Sequence, residues 1–501
     1  MNAIRLRNYR CFEDTGLIEL KRINLLVGAN SSGKSSFLKF FPLLKQSLNI
    51  KLNGVFRWLG NDVDFKDFRN TVQEGKDTIY IEYKVDNFYQ YSRLFNTRLL
   101  NNRKMIPDVH VSFSIVPLHE HFDMIENIHI EYAATTIDVK FEENDKVSLS
   151  VNRLSTDNTK GLQIIAQNND AIFPRLLFMY KGDEKHGWMT SPVFLRQKIL
   201  SEVQKLGGRF SEGHRFLLFD TYPISFDNFK KGLNGMSDKE VPNLIAQHLY
   251  DMCVMYNINS LIDSLNINLL KVASNVVYIK PIRATIERYY RFQNLDMDDI
   301  DADGANLPMF LYNLEEKAFE AFNDWLSMHF CFKVYIKSSD GHIELFVSEE
   351  GKTPRNTVDL GFGYTQLLPI LAVIWRAVFL EANSIRTEVS QENHIIVIEQ
   401  PELHLHPIFQ GKFAEMLSII TRLGHDRKLN VRFIIETHSE TILNKLGDYV
   451  ESRILYPEDI SVLMLEQDKT GRSKITPTEY TKDGFLKEWP QNFMEDVVAD
   501  R

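Results

Sequence analysis

The sequence has few cysteines, and their positions do not suggest disulfide bonds. Three occur among 501 residues, Cys11, Cys253 and Cys331, and they are far apart in the chain. Disulfide frameworks use an even set of cysteines and persist in oxidising compartments. The cysteine content therefore predicts a protein of a reducing compartment, most simply the cytoplasm.

The sequence also lacks a hydrophobic run that could span a membrane. Its most apolar stretch, LLPILAVIWRAVFL at residues 367–380, includes Arg376. It is shorter than the roughly 20 apolar residues that a transmembrane helix needs. The first residues, MNAIRLRNYRCFED, alternate apolar and basic side chains, unlike a signal peptide. We expect a cytoplasmic protein without a membrane partner.

An excess of basic residues is absent too. The formal net charge is -9 and the sequence pI is about 5.9. This balance argues against a protein that coats nucleic acid, while a local basic groove, and hence a nucleic-acid contact, stays open. Internal repeats, low-complexity tracts and proline-rich linkers are also missing, so the chain is typical of a globular protein.

Both ends of the chain alternate strand-like and helical segments. RINLLVGAN, HIIVIE and VRFIIE have the pattern of strands, and PIFQGKFAEMLSIITRL has the pattern of a helix. This order is typical of an α/β fold with a mixed, partly parallel sheet. Between them, TIYIEYKV and HVSFSIV alternate with period two, and helical spacing follows. We therefore predict that residues 76–274 form an inserted β-rich and helical region.

A phosphate-binding loop is predicted at residues 28–35, GANSSGKS, which match G-x-x-x-x-G-K-S. An apolar strand precedes the loop and a helical segment follows it. Gly28 and Gly33 permit tight turns whose N–H groups can face phosphate oxygens. Lys34 should reach the outer phosphates, and Ser35 should hold Mg²⁺. The predicted ATP-binding residues are Gly28, Asn30, Ser31, Ser32, Gly33, Lys34, Ser35 and Ser36.

A second glycine-containing segment, DLGFGYTQLLPIL, covers residues 359–371. Gly361 and Gly363 precede Thr365, which we predict to be the N-cap of a helix that begins near Gln366. The free N–H groups of such a helix end could contact a γ-phosphate. A capped helix of the core would have the same pattern, so this segment alone does not decide between the two.

Together with VIEQPELHLHP, these two segments resemble the ABC-type ATPase superfamily that includes the structural-maintenance-of-chromosomes and RecF-like proteins. The resemblance implies an ABC-type P-loop head formed by residues 1–75 and 275–501. In that family two copies enclose ATP, and the signature segment acts in trans. One loop and one signature in this chain imply a homodimer or a higher oligomer. The signature residues in trans would be Gly361, Gly363, Thr365 and Gln366.

The resemblance assigns Glu399 to the Mg²⁺-associated acid, acting with Ser35. Gln400 then stands where the family usually has its water-activating glutamate. A carboxylate can accept a proton from the attacking water, whereas an amide can only orient that water. We therefore expect slow or triggered hydrolysis. Two alternatives stay open: Glu402 acts as the base, or the motif shifts by one residue and Glu399 acts as the base.

Three histidines near these segments permit two interpretations. His404, His406 and His438 have ligand types that suit zinc. The resemblance instead places LHLHP in the loop where two ATPase domains meet. It also makes His438, in FIIETHSE, the switch histidine that contacts the γ-phosphate. We favour phosphate and dimer contact over zinc.

Two further segments, VYIKPIRATIERYY and DGFLKEWPQNF, are similar to bacterial ATPases of anti-phage defence, as is the EQPELHLHP variant. The ATPase of the Septu system is the nearest analogue, followed by PARIS-type and retron-associated ATPases. The chain departs from the family at its Q-loop, for which no glutamine is assigned: Gln46 lies inside the first predicted helix, and Gln73 follows VDFKDFRN, a segment that looks like the family's loop there. The stretch after His438 is short beside typical domains of about 100 residues, so we expect any nuclease effector to be a separate chain.

The first hypothesis is a cytoplasmic, slowly hydrolysing ATPase that uses ATP and Mg²⁺. It would dimerise on ATP and regulate a separate effector, for which a nuclease is the expected type, in anti-phage defence. The alternative is a DNA-repair or chromosome-type ATPase that binds DNA directly, although the acidic charge and the lack of a long heptad arm disfavour it. An ATPase subunit of a transporter is a third, less favoured class.

Overall fold

The structure is a computed structural model of the chain. It describes residues 1–48, 52–90, 104–118, 122–142, 146–156, 162–167, 171–181, 188–190, 193–206, 225–235, 237, 239–281, 287–291, 300–360, 362–380, 393–427 and 430–489. Contacts within the chain divide it into two compact units. The first unit comprises residues 1–19, 46–60 and 64–271, and the second comprises residues 20–45, 61–63 and 272–501.

Strands form the main sheet of the first unit and the centre of the second. Their bounds are β1 (Ala3–Tyr9), β2 (Phe12–Asp14), β3 (Ile18–Glu19), β4 (Ile23–Gly28), β5 (Ile79–Gln90), β6 (Lys104–Pro117), β7 (Asp123–Tyr132), β8 (Thr135–Phe141), β9 (Val147–Val151), β10 (Leu154–Ser155), β11 (Leu162–Gln167), β12 (Arg175–Lys181), β13 (Trp188–Thr190), β14 (Val276–Ile279), β15 (Tyr290–Arg291), β16 (Phe332–Ser339), β17 (His342–Glu349), β18 (Arg355–Asn356), β19 (Asn393–Glu399), β20 (Asn430–Glu436), β21 (Ile460–Gln467) and β22 (Ser473–Thr478).

The helices described in the first third of the chain have at most nine residues, whereas most of the later ones have 12 or more. Their bounds are α1 (Lys34–Leu38), α2 (Phe40–Leu48), α3 (Phe68–Thr71), α4 (Val193–Gln204), α5 (Phe226–Asn234), α6 (Asn243–Tyr256), α7 (Ile258–Ser274), α8 (Leu307–Asn313), α9 (Glu316–Phe330), α10 (Phe362–Trp375), α11 (Pro407–Arg427) and α12 (Glu440–Glu451). A π-helical turn, Arg376–Leu380, extends α10. None of the helices described combines the length and the apolar composition that a membrane span requires.

The second unit contains a mixed sheet with strand order β22-β21-β4-β20-β19-β14. The β21-β4, β4-β20, β20-β19 and β19-β14 pairs are parallel, and the β21-β22 pair is antiparallel. Every residue of β4 is buried, as expected for a parallel strand covered on both faces. Helices α9, α10 and α11 contribute to the same buried apolar core. The predicted α/β class with a mixed sheet is therefore confirmed.

The first unit is built on an antiparallel sheet with strand order β10-β9-β8-β7-β6-β5-β1-β2, and β3 pairs with β1. Strands β7 and β8 show the alternating burial of a sheet with one covered face. Part of the cover is α6, where the Tyr250 hydroxyl and the Thr135 hydroxyl lie 2.7 Å apart. A separate three-stranded sheet has the order β11-β12-β13.

A buried carboxylate holds the segment before α3 against the start of β7 in the first unit. Asp123, 4% exposed, accepts hydrogen bonds from the Val55 amide at 2.8 Å and from Trp58 Nε1 at 2.9 Å. Burial raises the pKa of Asp123. A Cβ on Gly54 would lie 2.2 Å from Asp123 Oδ1, so this contact requires a residue without a side chain.

Candidate functional site

Three neighbouring parallel strands of the second unit, β4, β20 and β19, end at the same edge of the sheet. β4 is buried throughout, and the last four residues of β20 are buried, with the acid Glu436 at the end of that strand. The register pairs Glu436 with Leu26 and Glu399 with Glu436. Since side chains of paired residues in a parallel sheet point to the same face, the two carboxylates start side by side.

The loop after β4 has the backbone that the sequence pattern predicts. Its φ angles are +148° at Gly28, +64° at Ser31 and +97° at Gly33, which lie in the left-handed region. A Cβ on Gly28 would also come within 2.2 Å of the Leu465 carbonyl oxygen on β21. Glycine is therefore required at position 28 for both conformation and space.

The lysine of this loop is turned inward. Lys34 is 3% exposed, and its Nζ donates hydrogen bonds to the carbonyl oxygens of Gly28 at 3.0 Å and Ala29 at 2.7 Å. Burial lowers the pKa of Lys34, while the carboxylates of Glu436 and Glu402 act to raise it. The predicted phosphate ligand thus lies among the two acids and the loop carbonyls.

The hydroxyl predicted to hold Mg²⁺ is paired with an acid that the sequence analysis did not single out. Ser35 Oγ donates a hydrogen bond to Glu436 Oε2 at 2.7 Å. Glu436 is 4% exposed and ends β20, the strand next to β4. An acid at the end of the otherwise apolar segment VRFIIE is the sequence signal that could have identified it.

Glu399, the acid predicted to accompany Mg²⁺, has other partners. It is 3% exposed at the end of β19 and accepts a hydrogen bond from the Tyr278 hydroxyl. Its Oε1 lies 3.6 Å from Lys39 Nζ. Burial raises the pKa of Glu399, and the Lys39 ammonium opposes that shift. A buried carboxylate is stabilised when a cation and a hydrogen-bond donor surround it in this way.

Gln400 follows directly and adopts an unusual backbone conformation. Its φ is +44°, and its amide donates a hydrogen bond to the Glu436 carbonyl oxygen at 2.9 Å. Its own carbonyl accepts from the Leu403 amide at 3.2 Å. These bonds fix the turn after β19 beside the end of β20, and the Gln400 side chain is partly exposed there.

Glu402 holds the turn that follows β20. Its Oε1 accepts a hydrogen bond from the His438 amide at 2.7 Å, and its Oε2 accepts one from Thr437 Oγ1 at 2.9 Å. Burial raises the pKa of Glu402. Both oxygens therefore have donors in the Thr437–His438 turn, and the two predicted residues Glu402 and His438 are in direct contact.

His438 is partly buried close to Lys34. Burial, followed by the charge of Lys34, lowers the pKa of His438 to about 4. The imidazole is thus neutral at physiological pH, with one ring nitrogen that can accept a hydrogen bond and one N–H that can donate one. The next residue, Ser439, caps α12 by accepting a hydrogen bond from the Ile442 amide at 3.1 Å.

The zinc interpretation finds no support. Among the residues placed by the structure, no group of three or more His, Cys, Asp or Glu side chains could hold a metal ion. His404 is exposed with φ +63°, and His406 Nδ1 accepts a hydrogen bond from the Ile408 amide at the start of α11. His404 and His406 therefore belong to a turn that leads into a helix.

The predicted helix start in the signature segment is wrong. Helix α10 begins at Phe362, so Thr365 lies inside its first turn and is not the N-cap. Tyr364 packs edge-on against Phe332 and Phe409, and its hydroxyl donates a hydrogen bond to Glu349. These tertiary contacts stabilise a turn of helix that the local sequence does not favour.

The other predicted signature residues have different positions. Gly363 lies in the first turn of α10, where a Cβ would meet no atom within 4 Å. Thr365 and Gln366 are each 5% exposed. Gly361 lies outside the described residues. The two Q-loop candidates are in the first unit, where Gln46 donates a hydrogen bond to the Arg57 carbonyl oxygen and Gln73 is buried.

The side chains at this edge suit a triphosphate and Mg²⁺. Within the part of the chain that the structure describes, the buried Ser32 Oγ has no hydrogen-bond partner, so it is available to a ligand oxygen. Ser35 and Glu436 are hard oxygen donors, and Mg²⁺ in nucleotide sites uses one or two such groups together with phosphate oxygens. Asn30 and Ser31 are exposed at the tip of the loop, and Ser36 is partly buried in α1.

A family model described as an AAA ATPase domain matches residues 1–443, most of the chain. The comparison with curated proteins gives no match. Solved structures similar to the chain include the Smc head domain of Pyrococcus furiosus bound to the C-terminal domain of ScpA. The two sequences are 9% identical. The alignment covers 95% of this chain and 96% of that chain, with a TM-score of 0.35.

Two other solved structures are similar over most of their length. One is the SMC head domain of Thermotoga maritima, with 11% identity, 95% of this chain and 99% of that chain covered, and a TM-score of 0.35. The other is the recombination mediator RecF, with 11% identity, 95% and 97% covered, and a TM-score of 0.28. TM-scores this low carry no functional inference for this chain.

Proposed function

The chain belongs to the AAA ATPase domain family and is an ATPase, and we propose that it hydrolyses Mg-ATP slowly or only when triggered. The observation that carries this proposal is the set of side chains around the end of β19. Gln400 is an amide in the turn after that strand, and neighbouring Glu399 and Glu402 already have their own partners. An amide orients water without accepting its proton.

Each residue of the site has a proposed role in ATP binding. Lys34 would exchange its two loop carbonyls for the outer phosphates, and the loop amides and Ser32 would contact phosphate oxygens. Mg²⁺, when bound, neutralises charge on the phosphates. The chain would hold it through Ser35 and an adjacent carboxylate.

The remaining roles concern the attacking water and the γ-phosphate. Gln400 would orient the water, as glutamine does in several slow nucleotide hydrolases. The neutral imidazole of His438 would contact the γ-phosphate, in keeping with its position beside Lys34. Glu402 would keep the His438 turn in place through its two hydrogen bonds.

We also propose that two copies close on ATP. The nucleotide-binding domain would comprise residues 1–75 and 275–501, and Gly361, Gly363, Thr365 and Gln366 would face the phosphates of the other copy. Residues 76–274 would be an inserted region that senses a trigger or holds a partner. A ligand that binds the closed pair preferentially shifts the population toward it, so ATP would favour association and hydrolysis would reverse it.

The proposed cellular role is control of a separate effector, a nuclease, in cytoplasmic anti-phage defence. The support is the resemblance of VYIKPIRATIERYY, EQPELHLHP and DGFLKEWPQNF to ATPases of Septu-type systems. Direct action on DNA, as in repair or chromosome ATPases, is the rival role. A several-fold stimulation of ATP turnover by duplex DNA, weakening as salt rises, would favour the rival.

The test combines turnover and association. Phosphate release and molar mass by light scattering would be measured for the purified chain with Mg-ATP, Mg-ADP and no nucleotide. We expect slow release and a rise in mass with Mg-ATP alone. Lys34→Ala should remove both responses, and Lys474→Ala, an exposed lysine on β22, should remove neither. Indifference of the wild-type chain to Mg-ATP would refute the proposal.

A further inference from the structure

We propose that Glu436, rather than Glu399, is the carboxylate that acts with Ser35 on the nucleotide-associated Mg²⁺. This inference rests on the proposed function and names the metal acid within that site. It moves the acid from β19, where the sequence motif places it, to the neighbouring strand β20.

The first argument is contact. In nucleotide-binding loops, the hydroxyl that follows the lysine and a strand-end acid act on the same ion. Ser35 Oγ lies 2.7 Å from Glu436 Oε2, so an ion bound to the hydroxyl would meet this carboxylate first. Glu436 is 4% exposed, so its carboxylate is largely shielded from bulk water.

The second argument is strand order. Strand β20 lies between β4 and β19, so Glu436 is one strand from the loop and Glu399 is two strands away. Neighbouring strands are about 4.8 Å apart. That spacing places the backbone of Glu399 farther from the end of β4 than the backbone of Glu436.

The third argument is charge. Glu399 has a cation at 3.6 Å, Lys39 Nζ, and a hydrogen bond from the Tyr278 hydroxyl. A divalent ion beside Glu399 would have to share its carboxylate with this ammonium group, and like charges in a buried site repel strongly. Glu399 is thus paired with Lys39 and hydrogen-bonded to Tyr278. Its proposed role is to position the turn that contains Gln400.

The experiment measures metal-dependent nucleotide affinity, not turnover. Isothermal titration with ADP would be carried out in Mg²⁺ and in EDTA for the wild type, Glu436→Gln and Glu399→Gln. Glutamine keeps the size of each side chain, and at position 436 it can still accept the Ser35 hydrogen bond. We expect Mg²⁺ to tighten ADP binding by the wild type and Glu399→Gln, and Glu436→Gln to lose about 10-fold or more of that effect.

A second readout covers the case in which a glutamine variant folds poorly. Electron paramagnetic resonance would count the Mn²⁺ ions bound with ADP per folded chain. The variant Glu436→Asp keeps the charge but shortens the side chain, so it should bind Mn²⁺ with an affinity between those of the wild type and Glu436→Gln. Loss of the metal effect in Glu399→Gln, or in both glutamine variants, would overturn the inference. Wild-type chain that binds no ADP at all would instead refute the proposed function.

Discussion

Glu399 and Glu436 are register partners on two parallel strands, yet their carboxylates have different contacts. Glu436 accepts a hydrogen bond from the Ser35 hydroxyl. Glu399 lies beside Lys39 and accepts a hydrogen bond from the Tyr278 hydroxyl. Although the two acids start side by side, Glu436 therefore contacts the phosphate loop, whereas Glu399 contacts a lysine and a tyrosine. Under the proposed function, the amide of Gln400, which follows Glu399 in the sequence, would orient the attacking water.

Replacement of Gln400 by glutamate should accelerate ATP hydrolysis. The two side chains have the same size, and a general base contributes about 10²- to 10⁴-fold to such reactions. We expect the steady-state rate of phosphate release to rise by at least about 10-fold. Gln400→Asn, which keeps an amide, should not show this gain. A wild-type rate equal to that of Gln400→Glu would contradict a slow site.

Glu402→Gln should destabilise the protein. A glutamine can still accept from the His438 amide, but its –NH2 group would then face Thr437 Oγ1, whose hydroxyl hydrogen would lose its acceptor. A buried donor left without a partner costs about 1–3 kcal/mol. We expect a lower Tm by calorimetry, with exposed Glu466→Gln as the unchanged control. If Glu402 were instead the catalytic base, turnover would fall while the Tm stayed constant.

The wild type should lose more stability on acidification than His438→Gln. The pKa of His438 is about 4 in the folded chain, against about 6.5 when unfolded. Between these values the unfolded chain binds a proton that the folded chain does not, so stability falls as pH falls through this window. Tm measured at about pH 7 and about pH 5 would show the difference, and His404→Gln should behave like the wild type. Parallel Tm decreases in all three proteins would show that His438 titrates normally.

Asp123→Asn should destabilise the first unit. An asparagine keeps one oxygen, so its –NH2 group would face either the Val55 amide or Trp58 Nε1, and that donor would lose its acceptor. The unsatisfied donor is expected to cost about 1–3 kcal/mol. Urea unfolding followed by tryptophan fluorescence would report it, and exposed Asp77→Asn serves as the control. Unchanged unfolding midpoints in Asp123→Asn would mean that water replaces the lost acceptor.

The phosphate loop could be predicted from the sequence because its conformation is local. Gly28, Gly33 and Lys34 lie within seven consecutive residues, and the strand and short helix beside them follow from neighbouring residues. The α/β class could also be predicted from the sequence, since buried parallel strands are mostly apolar and alternate with helical segments. The pairing of Ser35 with Glu436 could not be predicted in this way. The two residues are 401 positions apart, and the strand order that brings them together is a tertiary property.

Local signals also failed where tertiary contacts outweigh them. Thr365 has the residue type of an N-cap, but contacts of Tyr364 extend α10 to Phe362. In the first unit, the turn between β7 and β8 consists of Ala133 and Ala134, both with positive φ. Alanine gives no turn signal of the kind that Asn-Gly provides, so only the pairing of the two strands reveals this hairpin.

The left-handed backbone at Gln400 restricts which sequences can explore this position. At φ +44°, branched side chains such as valine, isoleucine and threonine are strained, while asparagine, aspartate and glycine are tolerated. A saturation library at this codon would therefore lose its β-branched members through poor folding, whatever their chemistry. The variants that fold in such a screen are selected first by the backbone conformation at position 400. Their ATPase activities should therefore be compared only among variants that fold.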